Sequence, residues 1–314
     1  MIYGGENMKT TLLIGNGLNR CLTNSISWGD LLKKIANDYS VEYNGKIPMP
    51  LEFECIVNQY LDSQTELSDK IYMEVKEKIA QTLNHTKLPE CAIHHHIKSL
   101  GIDTLMTTNY DNLLEYVYNP EYSYRGKKTN KYLFETTSVQ KDISFYHIHG
   151  HADSPKTICL GYEHYMGLVE KMRSEVNTEE KGTPGKMKIK EALLDPSKRQ
   201  NTWYEKFYTD NIGIIGLGLY ESEVDLWWLL THRAYLYYSN YHGIRKILKN
   251  KITYYDILNE SNKAEMEEKK KIHYMLKNSH VEVKTYTIGK NCIDYWEAYM
   301  KMFESINSGE LWNT

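Results

Sequence analysis

Continuous apolar runs alternate with amphipathic stretches along most of this chain. Thr10 to Ile14 is a run of the kind required by a strand covered on both faces, and Gly15-Asn16-Gly17-Leu18-Asn19 follows it. Trp28 to Tyr39 sets Leu31, Leu32, Ile35 and Ala36 at helical spacing. Leu51 to Leu83 predicts a longer helical stretch punctuated near Ser63, and Pro89 opens a helix from about Glu90 to Ser99, ended by Gly101. Ile102 to Met106 predicts a strand and Tyr110 to Val117 the helix after it. Ile143 to Ile148 and Thr157 to Leu160 predict short strands around a histidine-rich turn. From Glu163 to Lys206 the chain becomes charged and helix-prone, with Gly182-Thr183-Pro184-Gly185 as a break, which reads as an inserted helical segment or lid. Ile212 to Leu217 returns to a buried strand and leads into a helix over Ser222 to Tyr238. A strand (Lys251 to Asp256), a charged helix (Lys263 to Asn278), a strand (Val281 to Ile288) and a last helix (Cys292 to Ile306) complete the pattern.

Apolar strands alternating with helices imply an α/β architecture, a Rossmann-like open parallel sheet with helices on both faces. Helical insertions are expected at about 40–90 and 163–206, with the whole of 1–314 forming one domain. In such sheets a ligand sits beyond the carboxyl ends of the strands, where strand order reverses. The glycine strings, Thr107 to Asp111 and His147 to His151, singled out below, lie at such strand ends.

Composition narrows the partners. A formal charge of -3 gives no reason to expect a polyanion or a membrane surface, so neither a membrane nor direct nucleic-acid binding is expected. The longest apolar stretch, Ile212 to Leu219, is too short to span a bilayer. The five cysteines (Cys21, Cys55, Cys91, Cys159, Cys292) are dispersed without a Cys-x-x-Cys pair. That speaks against a zinc ribbon and, with no export signal at the N-terminus, for a reducing, cytoplasmic setting.

The glycine string permits a tight turn, and the helix after it would offer free N–H groups to a phosphate. The usual dinucleotide fingerprint would need a third glycine where Arg20 stands, and a plain strand-to-helix turn is the competing reading. A second turn, Gly216-Leu217-Gly218, follows another buried strand, and two such turns on one sheet suit the two halves of a dinucleotide. In Thr107-Thr108-Asn109-Tyr110-Asp111, the Asn109 amide can hold a carboxamide or place a water without titrating. Its alternative is that Thr108 or Asn109 caps the helix that follows. In His147-Ile148-His149-Gly150-His151, His149 has the pKa range of a general base, against the alternative of a structural turn histidine. His94-His95-His96 reads as structural, because consecutive helical residues point in different directions.

Taken in order, these strings resemble the sirtuin fold, and more narrowly the bacterial sirtuin-like domains of antiphage defence. The likeness runs from about Leu12 to Trp228 and includes Ser27-Trp28, Leu31-Leu32, Phe53-Glu54 and Tyr162-Glu163-His164-Tyr165. It implies that Gly15, Asn16, Gly17 and Asn19 hold the NAD pyrophosphate, with Gly216 and Gly218 near the adenosine half. Asn109 would position water beside the nicotinamide ribose, Asp111 would lie close to the carboxamide, and His149 would orient or deprotonate the ribose hydroxyls. Deacetylating sirtuins share a four-cysteine zinc module that this chain cannot build, so no metal is expected. The resemblance therefore implies a cytoplasmic NAD hydrolase releasing nicotinamide and ADP-ribose as an abortive-infection effector. A deacylase or ADP-ribosyltransferase, or a non-catalytic module binding NAD or ADP-ribose, are the alternatives. Because no second, sensing domain is legible, control is expected from homo-oligomer assembly, a partner motor ATPase or a phage-derived trigger.

Overall fold

Thr10–Ile14 (β1) is the central strand of a seven-stranded sheet. Thr104–Thr107 (β2) and Asn211–Ile215 (β5) flank it, both parallel. Ile143–His147 (β4) lies beyond β2, while Ile252–Asn259 (β6) and Glu282–Ile288 (β7) continue beyond β5, all parallel again. The computed structural model describes residues 8–22, 25–64, 70–85, 92–124, 131–140, 142–177, 188–289 and 294–308. Pro89 and the Gly182 to Gly185 break lie outside these residues, as do Cys91 and Cys292.

Side-chain alternation along the strands makes two cores. Leu13, Met106, Tyr146, Ile214 and Tyr254 face one side, where they meet helices α6 (Tyr162–Asn177), α8 (Trp203–Thr209), α9 (Val224–Ser239) and α10 (Lys263–Asn278). Leu12, Ile14, Leu105, Phe145 and Tyr255 face the other, against α4 (Ala92–Ser99), α5 (Leu113–Tyr118) and α11 (Tyr295–Asn307). Burying each such side chain stabilises the fold by roughly 1.5–3 kcal/mol. The protein is a Rossmann-like α/β fold with both sheet faces covered.

The insertions behave differently from one another. Helices α1 (Trp28–Asp38), α2 (Met49–Asp62) and α3 (Ile71–His85) make a third core with Tyr110, Ile158 and Leu160 at the carboxyl end of the sheet. Ser27 starts α1 by accepting the Asp30 N–H at 3.1 Å, a cap worth about 1 kcal/mol. The segment read as an inserted helical segment or lid supplies sheet-covering helices among its described residues. All seven residues of α8 are buried, and Trp203 and Phe207 sit in the first core, with α7 (Lys188–Leu194) before them.

Two expectations need correction. Thr157 to Leu160 is not a strand: Pro155–Thr157 forms a 3-10 turn, and the free edge of β4 is taken by Ser138–Gln140 (β3), antiparallel. The sequence signal for β3 is weak because the strand has three residues, none of them buried. The helix expected at Tyr110 starts at Leu113, because Tyr110 is drawn inward to donate its hydroxyl to the Cys159 carbonyl at 2.6 Å.

Candidate active site

The strand order reverses between β1 and β5, and the two glycine turns meet there. Gly15 donates its N–H to the Ile215 carbonyl at 2.9 Å and Gly17 to the Gly216 carbonyl at 2.7 Å. A Cβ on Gly15 or Gly17 would lie 2.5 or 2.6 Å from the Gly216 oxygen, so backbone touches backbone at this crossing. Gly216 itself holds a φ of 63°, a left-handed conformation that favours glycine. The turns expected to serve two separate halves of a ligand thus form one crossing. Nor does an α-helix start directly after Gly17: a three-residue 3-10 helix (Asn19–Cys21) follows, and α1 begins only at Trp28.

Two adjoining cavities open at this crossing and share Asn16, Ser27, Trp28 and Tyr110 as walls. Trp28 and Tyr110 meet edge to face at 4.9 Å. The smaller cavity, about 40 Å³, is lined by Asn16, Asn19, Asn109 and Asp111. The larger, about 290 Å³, is lined by Gly17, His149, Glu223, Gly216 and Gly218 and extends to Asp256 below α10. Asn109 and His149 therefore belong to neighbouring compartments.

Neither Thr108 nor Asn109 caps α5; its N-cap is Asn112. The backbone of Asn109 is instead clamped on both sides. Its N–H donates to Thr107 Oγ1 at 3.0 Å, and its carbonyl accepts from His147 Nδ1 at 2.8 Å. The Oδ1 of its side chain is buried and has no hydrogen-bond partner among the described residues. Asp111 accepts from the Leu113 N–H at 3.0 Å and from Asn19 Nδ2 at 3.2 Å. Burial pushes its carboxyl above the usual range. Asn19 is buried and also accepts from His94 Nε2 at 3.0 Å, so it braces Asp111. Asn16 donates to the Ile26 carbonyl at 3.1 Å while lining both cavities.

The three alternate histidines from the end of β4 onward have separate tasks. His147 Nε2 meets Glu115 Oε1 at 2.8 Å, both side chains being fully buried. Burial opposes its charge, but the Glu115 carboxylate outweighs that and raises its pKa. His151 holds Asn112, stacks on Tyr124 at 4.0 Å, and is kept neutral by burial and by His147. Glu115, His147 and His151 bring donor atoms within 4.8 Å of one another, but these hydrogen bonds already engage both histidine rings.

His149 lines the larger cavity. Its Nε2 lies 2.9 Å from Asp225 Oδ2 and 3.9 Å from Glu223 Oε2, and the edge of Tyr165 packs against the ring at 5.2 Å. Burial disfavours the imidazolium, yet Asp225 and then Glu223 more than compensate, so its pKa is raised. Glu223 is pushed up to about 7 by burial, with His149 opposing and Asp225 adding to the rise. Gly150, with φ of 102°, leaves no room for a Cβ, which would lie 2.2 Å from the Thr157 carbonyl oxygen.

Residues 103–207 match the family model described as SIR2-like domain. This stretch is similar to SIR2-like domains. The chain is also 27% identical over 160 residues to the NAD(+) hydrolase ThsA of Bacillus cereus (strain MSX-D12). That match covers 50% of this chain and spans about a third, 32%, of the relative's length.

The sheet extends past the matched residues on both sides, from β1 to β7. Reading the sequence missed Asp225, Glu223, His147 and Glu115 as neighbours in the candidate site. Glu223 and Asp225 follow the second glycine turn by a few residues, which was a usable signal. Glu115 lies inside an ordinary helical pattern, and only the pairing of β2 with β4 places it beside His147. Within α4, His94 turns to Asn19 while His96 packs near Trp296 and Phe303.

Proposed function

We propose that this chain hydrolyses NAD to nicotinamide and ADP-ribose. The observation carrying the reading is the pair of adjoining cavities at the switch point, one presenting Asn109 and Asp111 and the other the His149–Asp225 pair. A nicotinamide carboxamide has N–H donors that Asn109 Oδ1, lacking a partner, and the Asp111 carboxyl can accept. The ribose and pyrophosphate then lie along the crossing of Gly15, Gly17, Gly216 and Gly218, where backbone can approach closely.

In this reading Asp225 holds His149 Nε2, which fixes the ring and leaves Nδ1 for the ribose hydroxyls. Trp28, Tyr110 and Tyr165 limit water around the bond that breaks. As the C1′–N bond lengthens, positive charge grows on the ribose, and the carboxylates beside His149 lower the cost of that charge. Acid–base help of this kind contributes roughly 10²–10⁴-fold. The name of the Bacillus relative, an NAD(+) hydrolase, supports the same chemistry.

The wider role follows as part of the proposal: an antiphage effector that depletes NAD, held quiet until a homo-oligomer, a partner ATPase or a phage-derived trigger activates it. Incubating the protein with NAD, alone and with products of neighbouring genes, and quantifying nicotinamide tests the activity. Asn109→Ala and His149→Ala are each expected to lower release by about 10²-fold or more. Undiminished release from both variants, or turnover of acyl-peptides without loss of free NAD, would sink the reading.

A further inference from the structure

We propose that Glu223 is a catalytic carboxylate of this site, the group that takes the proton from the water replacing nicotinamide. The inference rests on the NAD-hydrolysis reading and adds a residue that the ordered motifs do not include.

Glu223 occupies the N-cap position of α9, yet its side chain makes no capping bond and instead lines the larger cavity. Its Oε2 is buried without a hydrogen-bond partner among the described residues, and so is Asp225 Oδ1. Leaving a buried acceptor unmet is costly, and more so for a charged group. A site that keeps two such oxygens beside one histidine is built for a ligand with positive charge or acidic protons. Asp225 is fully buried and bound to His149, whereas the Glu223 side chain is 18% exposed. Glu223 is therefore the carboxylate that a substrate can reach.

His149 lies 3.9 Å from Glu223 Oε2, too far for a hydrogen bond, so each group keeps its own contact with the ligand. Besides His149, the ionisable group that acts on Glu223 is Asp225 on its own helix, while Tyr110 after β2 and Tyr165 on α6 face it as neutral phenols whose ionisation its charge opposes. With burial holding the carboxyl at about 7, its proton affinity is matched to general-base work at neutral pH. The chemistry balances. The water oxygen bonds to C1′, and the C1′–N bond breaks with its electron pair moving to the ring nitrogen, which turns the pyridinium into neutral nicotinamide. One water proton passes to Glu223 and on to solvent; the other remains on the new hydroxyl of ADP-ribose.

The test uses the full chain and its Glu223→Gln variant, with nicotinamide release and NAD affinity measured from about pH 6 to 8.5. Wild-type release should rise with pH through about 7 as the carboxyl ionises, and Glu223→Gln should lose this limb and about 10²–10⁴-fold of the rate. Calorimetry should show wild-type affinity for NAD, relative to ADP-ribose, strengthening over the same range, because only NAD carries the pyridinium charge. The variant should show no such trend. Release by Glu223→Gln within about threefold of wild type, with the pH limb intact, would overturn the assignment. Wild-type protein that binds NAD but releases no nicotinamide under any condition counts against hydrolysis alone. Glu223 is then decided by binding: the same pH trend in both proteins overturns its role, and loss of the trend in the variant upholds its contact with the substrate. Absence of NAD binding by the wild-type protein and the variant alike overturns both proposals.

Discussion

Asn109 shows how a cavity-lining side chain is set by backbone bonds that do not involve it. Thr107 holds its N–H and His147 its carbonyl, which leaves the amide oxygen in the cavity without a competing partner. His147 in turn depends on Glu115, in a pair closed to solvent. Removing one member of such a pair strands the other charge, at a cost of about 3–5 kcal/mol. His147→Ala should therefore destabilise the protein by about that amount in urea unfolding. Adding Glu115→Gln to His147→Ala should recover part of the loss, since the stranded carboxylate is then gone. Equal stability of the single and double variants would show that the pair is not coupled.

Among the elements, the two glycine turns matter most, because each is shaped by the other. Gly17→Ala would push a methyl to 2.6 Å from the Gly216 oxygen, so both turns must move. A loss of about 1–3 kcal/mol or more, with weakened NAD binding, is expected by thermal unfolding and calorimetry. Gly101 is the control: its φ is 65°, but nothing lies within 4 Å of an added Cβ. Gly101→Ala should cost about 1–2 kcal/mol from its left-handed backbone and leave NAD binding unchanged. Most elements were legible in the sequence. The strand at Thr10–Ile14 and the helix at Lys263–Asn278 fall where their patterns place them. The start of α5 was not legible, because a tertiary hydrogen bond from Tyr110 to Cys159 outweighs local helical spacing. The edge strand β3 was missed because three partly exposed residues carry no periodicity.

The whole molecule gathers its candidate site from segments that span almost its full length, from Asn16 after β1 to Met302 on α11. No helix among the described residues is long and apolar enough to cross a membrane. Because the cavity walls come from several elements, a ligand filling both compartments should stabilise the entire fold. NAD or ADP-ribose at about 100 times its Kd should add roughly 2.7 kcal/mol, read as a rise in Tm. A rise with ADP-ribose and none with nucleotides lacking the second ribose would place the ligand across the crossing. The sequence by itself determined the alternating apolar runs, and hence the strands, the sheet class and the strand-end positions of Asn109, His149 and the two glycine turns. These follow from local periodicity and turn chemistry, which a chain carries wherever it folds. Tertiary structure alone decided that the glycine turns cross, that Asn109 and His149 occupy separate compartments, and which carboxylates flank each histidine. Glu223 and Asp225 reach His149 across 74 and 76 positions of chain, and only the side-by-side pairing of β4, β2, β1 and β5 brings them together.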